Sequence, residues 1–532
     1  MTTDFVPWPE EDAARYRAAG YWRGETSSRF LERVTGLSGE RTALVDDRVR
    51  LTYRDLFEQS RRVAGGLRAL GVGAGDKVLV QLPNRAEFVV LWFALQHLGA
   101  VPVHTQPGHR HAEMIHLARL TEAVAYVVPD VRSRFDHREL ASLVRANVPS
   151  LRHVIVVGDP GGHIAFEDLL APAPVPVEDL ARPGDVALLL LSGGTTGAPK
   201  LIPRTHDDYL CNARLAAEAC RLGDDAVYLA VLTIGFNFTF GCPGLLGVLG
   251  VGGTVVLADN PDPSYCFGLL ERERVTITAI NPLLTPLWLD EALATDADLS
   301  SLRVLQIGGA RLPGDLARQV AATFGGTLQQ VFGMAEGLLC TTGLDEAPEV
   351  IATTQGRPVA EADEVRVVDE HGAEVPGGAV GELLTKGPYT LRGYYRADEH
   401  NATAFTDGFY RTGDLVRRLP SGHLVVVGRR KEQINRGGEK FAAPEVEGHL
   451  EAHPLVRAAA LLPAPHPYLG ERSVAFIVPA GTGAPTREDL LTHLAARGLA
   501  AYKTVDEVRL LEEMPSTPVG KADKKALARL LV

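Results

Sequence analysis

Short apolar runs alternate with helix-like segments in the first part of this 532-residue chain, and this alternation constrains its fold more than any other feature. The run at residues 78–82 precedes a segment whose large apolar residues recur every three or four positions, as on one face of a helix: Phe88, Leu91, Trp92 and Leu95. Asn84 with Glu87 resembles a capping pair that would begin this helix, and Gly99 would end it. Further apolar runs lie at residues 101–103, 125–128, 153–157 and 186–190. The pattern predicts parallel sheets covered by helices, and therefore an α/β body.

The length of the chain and a change in the pattern of its apolar runs after residue 360 predict more than one domain. A chain of 532 residues is too long for one ordinary core. After residue 360 the apolar runs become shorter and are separated by Gly and Pro, as at residues 365–387, which is typical of antiparallel hairpins. The polar run GRRKEQINRGGEK at residues 428–440 then precedes a last block of the size of an independent α+β domain. We therefore expect an N-terminal domain at 1–430, a C-terminal domain at 431–532, and a hinge between them.

Charge and cysteine usage exclude several classes of function. The formal net charge of -12 argues against a surface selected for nucleic acid or for an anionic membrane. The five cysteines are widely spaced and contain no CxxC pair, so they indicate neither a disulfide framework nor a zinc site. The N-terminus lacks the basic start and apolar run of a secretion signal, and the most apolar stretch, 245–258, is too short for a membrane helix. These features predict a soluble cytoplasmic protein.

The loop LSGGTTGAPK at residues 191–200 is the sharpest local signal of chemistry, and it follows the apolar run at 186–190. Its small residues would let backbone N–H groups approach phosphate oxygens, its hydroxyls would add donors, and Lys200 would add a positive charge. The loop differs from the common nucleotide-binding loop because Lys200 stands between Pro199 and Leu201. The sequence predicts a phosphate cradle here, and the alternative is a plain surface loop.

This loop resembles the signature loop of adenylate-forming enzymes, a family that includes acyl-CoA synthetases, firefly luciferase and peptide-synthetase adenylation domains. The other family motifs follow in the expected order: GGARL at 308–312, VFGMAEG at 331–337, YRTGDL at 410–415, the hinge at 428–440 and PVGKADKK at 518–525. The segments WPEEDAARYRAAGYW, LIPRTH, GMAEGL and QINRGGEK narrow the resemblance to stand-alone aryl-acid AMP ligases. The resemblance implies two parallel α/β subdomains and a small β subdomain in the N-terminal domain, with a small mobile α+β C-terminal domain.

The resemblance also implies a set of site residues. The catalytic residues would be Lys521, Glu336 as the Mg²⁺ ligand, and Lys200, with Lys431 as the hinge. ATP and AMP would be bound by Ser192, Gly193, Gly194, Thr195, Thr196, Gly197, Gly309, Ala310, Arg311, Val331, Phe332, Gly333, Met334, Ala335, Asp414 and Arg429. The aryl acid would be bound by Phe236, Asn237, Phe238, Cys242, Gly309, Val331 and Leu339, with Cys340 as a further candidate for the wall.

Elementary chemistry supports the same reaction. An aromatic carboxylate is ionised at pH 7, so its attack on the α-phosphorus of ATP needs no general base. The attack does need charge neutralisation and alignment, which Glu336 with Mg²⁺, the phosphate loop and Lys521 would supply. Asp414 would accept hydrogen bonds from the ribose hydroxyls. The structural alternatives are a helix-start carboxylate for Glu336, a turn residue for Asp414 and a solvated lysine for Lys521.

The acid pocket departs from the family pattern. Aryl-acid ligases usually have His-Asn-Tyr and then Ser-Ser-Pro-Gly, whereas this chain has Phe-Asn-Phe at 236–238 and Gly-Cys-Pro-Gly at 241–244. Asn237 suits a benzoate with a polar ortho substituent, because an unpaired buried amide would cost about 1–3 kcal/mol; alternatively, it only holds a turn. Phe238 and Cys242 leave recognition of a 3-hydroxyl open. Salicylate, 2,3-dihydroxybenzoate, anthranilate and 3-hydroxyanthranilate therefore all remain candidates.

The expected function is ATP- and Mg²⁺-dependent formation of an aryl-AMP, followed by transfer of the acyl group to the phosphopantetheine thiol of a separate carrier protein. An aryl-CoA ligase is the alternative within enzymes, since it shares the adenylation site and differs in the thiol acceptor. A catalytically silent nucleotide-binding or interaction protein is the alternative from another class, since a fold does not fix a function.

Overall fold

The structure is a computed structural model that describes residues 4–176, 178–192, 199–429, 433–481, 483–515 and 522–531. The chain divides into two compact units. The larger comprises Met1–Pro107, Ala118–Leu191 and Leu201–Gly428, and the smaller comprises Gly108–Leu117, Ser192–Lys200 and Arg429–Val532. Lys431 lies outside the described residues, so the predicted domain boundary at this residue stays a prediction.

Nine described strands form the first sheet of the larger unit. Their spatial order is Arg357–Pro358, Leu339–Thr341, Thr327–Gly333, Val304–Gly308, Ile277–Ile280, Val227–Ala230, Thr254–Leu257, Thr42–Val45 and Arg50–Thr52. The six strands from Thr327–Gly333 to Thr42–Val45 pair in parallel, and the pairs at both edges are antiparallel. Parallel neighbours require crossover connections, which here are mostly helical.

Seven described strands form the second sheet of the larger unit. Their order is Leu201–Thr205, Val186–Leu191, Val101–His104, Lys77–Val80, Ala125–Pro129, His153–Val157 and Ile164–Ala165. All of these pairs are parallel except the first. The five apolar runs singled out in the sequence are therefore strands of one sheet, and the predicted α/β body is confirmed.

The helix Ala86–Leu98 lies in a core to which both sheets contribute. This core contains Leu44 and Tyr228 from the first sheet and Val78 and Leu188 from the second. The four stripe residues of the helix are buried, but so is every other residue of the helix except Glu87. An all-round apolar helix is typical of a helix that packs on all sides within a large core.

The predicted capping pair of this helix is wrong. The N-cap is Arg85, whose side chain makes no cap hydrogen bond, and Glu87 instead forms an ion pair with Arg48. The side chain of Asn84 hydrogen-bonds the backbone of Ala230, the last residue of the strand Val227–Ala230, and that of Leu232 and Ile234, which follow it. Asn84 therefore tethers a turn of the second sheet to the first sheet.

The small β subdomain is confirmed as a third sheet of the larger unit. The strands Glu364–Val368 and Val380–Lys386 form the predicted antiparallel pair. They continue through Phe409–Arg418, Phe405–Thr406 and Leu424–Arg429. A separate two-stranded ribbon joins Val131–Arg132 to Phe135–Asp136.

The smaller unit has a mixed sheet with helices, as expected for an α+β domain. The order of its described strands is Glu439–Ala442, Gln433–Arg436, Gly470–Pro479 and Val456–His466, and Glu507–Leu510 pairs with Gly470–Pro479. Its apolar core includes residues from the helices Ala443–Glu451 and Arg487–Ala496.

The remaining described helices are Glu10–Ala18, Ser27–Ser38, Tyr53–Ala69, His111–Thr121, His137–Asn147, Phe166–Leu170 (3-10), His206–Ala219, Asn237–Gly241, Gly244–Gly250, Pro263–Arg272, Leu284–Ala294, Gly314–Thr323, Pro348–Thr353, Asp398–Ala404 and Lys524–Arg529. Across the described ranges, no helix combines the length and the apolar character that crossing a membrane requires.

Candidate functional site

Two of the sequence motifs meet at one edge of the nine-stranded sheet. The parallel strands Val304–Gly308 and Thr327–Gly333 are neighbours, and Gly308 pairs with Val331. The segments that follow them, 309–311 and 334–337, therefore leave the sheet at the same carboxyl edge, where ligands of α/β sheets commonly bind. Gly309, at φ +87°, makes the turn at the end of its strand. The predicted nucleotide-binding segments GGARL and VFGMAEG are thus brought together.

Glu336 lies in the short connection between the strands Thr327–Gly333 and Leu339–Thr341, and two tyrosines connect it to the third sheet. The hydroxyl of Tyr394 donates to Glu336 Oε1 over 2.8 Å and lies 2.7 Å from the hydroxyl of Tyr410. Burial raises the pKa of Tyr394 well above its usual value, so this hydroxyl remains protonated. Since Tyr410 begins the YRTGDL motif, the tyrosine pair connects that motif to Glu336.

The backbone around Glu336 leaves no room for a larger neighbour. The amide of Leu391 donates to the Glu336 carbonyl over 2.7 Å. Gly337 has φ +149°, and a Cβ built on it would lie 2.4 Å from the Cα of Thr390. Only glycine satisfies both conditions, so the close approach of two backbone segments fixes the backbone at residues 336 and 337. No described Lys or Arg forms an ion pair with Glu336, which leaves its charge available to a cation.

Asp414 lies in a bulge of the strand Phe409–Arg418. Leu415 pairs with Glu382, but Arg411 pairs with Leu384. An advance of four residues along this strand therefore matches an advance of only two along the partner strand Val380–Lys386. Residues 412–414 take up this difference, with Gly413 at φ +74°. Asp414 is 3% exposed, and its backbone amide donates to the hydroxyl of Thr412 over 3.0 Å. Bulges of this kind redirect side chains and are common beside active sites.

Asn237 begins a short helix, Asn237–Gly241, which follows the strand Val227–Ala230 of the same sheet. Its Nδ2 donates to the sulfur of Cys242 over 3.4 Å. Its Oδ1 is buried and accepts no hydrogen bond from any described residue. A buried acceptor without a donor costs about 1–3 kcal/mol, so the arrangement favours a ligand that supplies an N–H or O–H group.

Most of the predicted acid-pocket residues share one apolar cluster. Phe238, Cys242, Val331 and Leu339 belong to it, together with Tyr389. A Cβ on Gly308 would lie 3.1 Å from the ring of Phe238, so the phenyl ring closes against the end of the strand Val304–Gly308. The further candidate Cys340 belongs to a different cluster, which includes Leu383 and Val416, because successive strand residues face opposite sides.

The sulfur of Cys242 accepts a second amide donor, Nδ2 of Asn212, over 3.5 Å. Burial raises the pKa of this thiol to about 11, so it is neutral at pH 7. A neutral thiol that already accepts two N–H groups offers a substrate only its weak S–H donor.

The family comparison agrees with this geometry. Residues 31–395 match the family described as AMP-binding enzyme, and residues 445–521 match the AMP-binding enzyme C-terminal domain. The chain belongs to the AMP-binding enzymes.

Individual relatives of this AMP-binding enzyme are similar over nearly their whole length. The 2,3-dihydroxybenzoate-AMP ligase of Bacillus subtilis (strain 168) is 50% identical over 528 residues, covering 99% of this chain and 97% of the relative. The salicyl-AMP ligase / salicyl-S-ArCP synthetase of Mycobacterium tuberculosis is 48% identical, covering 99% and 94%. The apo structure of Mycobacterium smegmatis MbtA is 46% identical with a TM-score of 0.77, covering 99% and 98%. The predicted adenylate-forming fold is therefore confirmed.

Several predicted site residues of this AMP-binding enzyme make none of the contacts described so far. Ser192 and Lys200 flank the phosphate loop, and the amide of Ser192 donates to the carbonyl of Lys200 over 2.9 Å. Arg429 ends the strand Leu424–Arg429. The predictions for Gly193, Gly194, Thr195, Thr196, Gly197, Lys431 and Lys521 fall outside the described residues. The roles predicted for these residues stay predictions, as do those of the other predicted site residues.

Sequence reasoning missed Tyr394, Asn212 and Arg204. Tyr394 lies outside every recognised motif, 58 residues beyond Glu336. Arg204 and Asn212 are fully buried, and Arg204 lies within the LIPRTH segment used for the resemblance. Their one sequence signal is the spacing 204, 208, 212, in which a cation, an acid and an amide stand four positions apart, across the end of a strand and the helix that follows it.

Proposed function

We propose that this AMP-binding enzyme activates an aromatic carboxylic acid with a hydrogen-bond donor at the ortho position. The acid reacts with ATP to give an aryl-AMP and pyrophosphate, and the acyl group then passes to the phosphopantetheine thiol of a separate carrier protein. The proposal rests on the buried Oδ1 of Asn237, which lies beside the apolar cluster and accepts no hydrogen bond from a described residue. A 2-hydroxyl or a 2-amino group would satisfy this acceptor, whereas an ortho substituent without a donor would leave it unpaired.

The ring of the acid would occupy the space beside Phe238, Val331 and Leu339, which are apolar and belong to one cluster. Cys242 faces the same cluster and offers only a weak S–H donor. A 3-hydroxyl would therefore gain little at this thiol. Salicylate and anthranilate are accordingly expected to be used at least as well as 2,3-dihydroxybenzoate and 3-hydroxyanthranilate.

In the first half-reaction a carboxylate oxygen of the acid attacks the α-phosphorus, and the bond from that phosphorus to pyrophosphate breaks. The carboxylate is already ionised at pH 7, so the protein need not remove a proton. The partly exposed carboxylate of Glu336 fits a Mg²⁺ ligand, because its backbone is held in place, its Oε1 accepts the hydroxyl of Tyr394, and it has no described cationic partner. Mg²⁺ bound there would neutralise charge on the phosphates.

The remaining predicted roles complete this proposal. Ser192 to Gly197 and Lys200 would hold the phosphates, and Asp414 the ribose hydroxyls. Gly309 to Arg311, the segment 331–335 and Arg429 would contact the nucleotide. Lys521 would lie between the carboxylate and the α-phosphate, and Lys431 would be the hinge of a C-terminal domain that starts there.

In the second half-reaction a thiol attacks the acyl carbon, and AMP leaves. A carrier protein as the thiol donor is supported by the name of one similar protein, which is a salicyl-S-ArCP synthetase. A reaction that uses ATP and a carrier-bound thiol is consistent with action in the cytoplasm.

The test is ATP–pyrophosphate exchange with salicylate, anthranilate, 2,3-dihydroxybenzoate, 2-methoxybenzoate and benzoate. We expect the acids with an ortho donor to exceed 2-methoxybenzoate and benzoate by about 5- to 150-fold in kcat/KM, which corresponds to about 1–3 kcal/mol. Equal rates with 2-methoxybenzoate and salicylate would contradict the role of Asn237. Thioester formation with a phosphopantetheinylated aryl carrier protein and with CoA then decides the acceptor.

A further inference from the structure

Arg204 is a completely buried cation at the end of the strand Leu201–Thr205. Its side chain is 0% exposed and that of its ion-pair partner Asp208 is 3% exposed, with 2.6 Å between Arg204 Nε and Asp208 Oδ1. Burial of two charges carries a desolvation penalty that their attraction repays only when the remaining donors also find partners. The partners of the two terminal guanidinium nitrogens, Nη1 and Nη2, therefore indicate what this buried charge does in the site.

The two terminal nitrogens of Arg204 reach two different parts of the candidate site. Nη1 donates to the carbonyl of Ala335, the residue before Glu336, over 3.0 Å. Nη2 lies 3.5 Å from Oδ1 of Asn212. The planar guanidinium fixes the angle between the Nη1 and Nη2 contacts, whereas a lysine has one nitrogen on a flexible stem and cannot fix such an angle.

Asn212 carries the second contact into the acid pocket. Its Nδ2 donates to the carbonyl of Gly241 over 2.6 Å and to the sulfur of Cys242 over 3.5 Å. The same sulfur accepts a hydrogen bond from Nδ2 of Asn237, which orients the amide so that its Oδ1 has no donor among the described residues. Arg204 is therefore connected through Asn212 and Cys242 to the group that would contact the ortho substituent.

Asp208 keeps Arg204 in place. Its Oδ2 accepts the backbone amide and the hydroxyl of Thr205, both over 2.7 Å, in a capping box that begins the helix His206–Ala219. The carboxylate is thus anchored by the helix start, and its Oδ1 fixes the guanidinium. The ring of Tyr209 lies 4.8 Å from the guanidinium carbon and covers it.

We propose that Arg204 is a positioning residue that holds the acid pocket and the Glu336 segment in one fixed arrangement. This inference rests on the proposed aryl-acid adenylation. The reacting carboxylate and the bound cation must be aligned at the same time, and a misplacement of about 1 Å can cost about 100-fold in rate. The guanidinium of Arg204 supplies this alignment, because one terminal nitrogen contacts the Glu336 segment and the other contacts Asn212 beside the acid pocket.

The test uses Arg204→Lys, which keeps the positive charge next to Asp208 but lacks the two terminal nitrogens that contact Ala335 and Asn212. We expect kcat/KM for salicylate or anthranilate to fall by about 10- to 100-fold. The preference for these acids over benzoate should decrease, and the Mg²⁺ concentration for half-maximal exchange should rise. Asn212→Ala should lower the preference while leaving the Mg²⁺ dependence as in the wild type, because it removes only the contact with the acid pocket.

Arg214→Lys is the matched control. Arg214 lies on the helix His206–Ala219, which also carries Asp208 and Asn212. It pairs with Glu218 four positions on at 2.8 Å and also donates to the backbone carbonyl of Tyr21. Its pair with Glu218 is partly exposed, so this variant should change kcat/KM by no more than about 2-fold.

A double-mutant cycle separates positioning from a general structural role. In an Asn237→Leu background, Arg204→Lys should no longer alter the preference between ortho-substituted acids and benzoate, because its effect passes through Asn237. Additive effects on this preference, or a folded Arg204→Lys with wild-type preference, would overturn the proposal. If Arg204→Lys does not fold, an unchanged preference in Asn212→Ala overturns it. Wild-type protein without exchange on any aryl acid would instead refute the proposed function.

Discussion

Replacement of Asn237 by leucine removes the buried acceptor at nearly constant side-chain size. In the wild type an ortho hydroxyl or amino group would donate to Oδ1, which accepts no other hydrogen bond among the described residues. In Asn237→Leu that donor would be buried beside an apolar group at a cost of about 1–3 kcal/mol. We expect kcat/KM for salicylate and anthranilate to fall by about 5- to 150-fold. Benzoate has no donor to leave unpaired, so its kcat/KM should change little.

The measurement is the ratio of kcat/KM values in pyrophosphate exchange, with each ortho-substituted acid compared with benzoate in the same preparation. Phe238→Leu is the control, because it changes the volume of the same pocket without removing a hydrogen-bonding group, so it should affect all acids similarly. Equal losses on all acids in Asn237→Leu would show that Asn237 only holds the turn and does not contact the ortho substituent.

Three further predictions concern other residues. Lys521→Ala should abolish exchange while thermal unfolding stays as in the wild type, because the lost charge acts on the transition state; exchange at the wild-type rate would remove Lys521 from the mechanism. Lys431→Pro should impair one half-reaction much more than the other, since it fixes φ at the proposed hinge; parallel loss or no loss would argue against a hinge there. Asp363→Asn should raise Tm relative to wild type at pH 8 but much less at pH 5. Burial raises the pKa of the Asp363 carboxyl, which accepts the hydroxyl of Tyr389, from 3.8 to about 7. The folded state then holds a proton that the unfolded state releases, so wild-type stability declines as the pH rises from about 4 to about 7. Identical pH profiles of Tm in the two proteins would contradict this assignment.

The sequence predicted the sheets and the order of the motifs because both are expressed locally. Apolar runs such as 153–157 became strands with the predicted bounds, and the motifs around Gly309 and Glu336 met because parallel neighbours end at the same sheet edge. Asn84 shows where local reasoning failed. Its side chain hydrogen-bonds backbone groups about 150 residues away, at and just after the end of a strand of the other sheet, instead of capping the helix.

The supporting contacts of the site could not be predicted for the same reason. Arg204 and the Ala335 carbonyl are 131 residues apart, and Asn212 and Cys242 are 30 apart. No periodicity or motif encodes such contacts, which arise when separate strands and helices pack. The bulge at 412–414 also escaped prediction, because a register slip depends on the partner strand as well as on the sequence TGD.

In the proposed reaction a carboxylate oxygen of the aryl acid attacks the α-phosphorus, and a thiol then displaces AMP. The most direct measurement uses the acid with the highest exchange rate, labelled with ¹⁸O at both carboxyl oxygens, together with ATP, Mg²⁺ and a phosphopantetheinylated aryl carrier protein. Mass spectrometry of the products should find one ¹⁸O atom in AMP and one in the thioester. Label in inorganic phosphate with formation of ADP, or unlabelled AMP beside a doubly labelled acid, would show that the carboxylate does not attack the α-phosphorus.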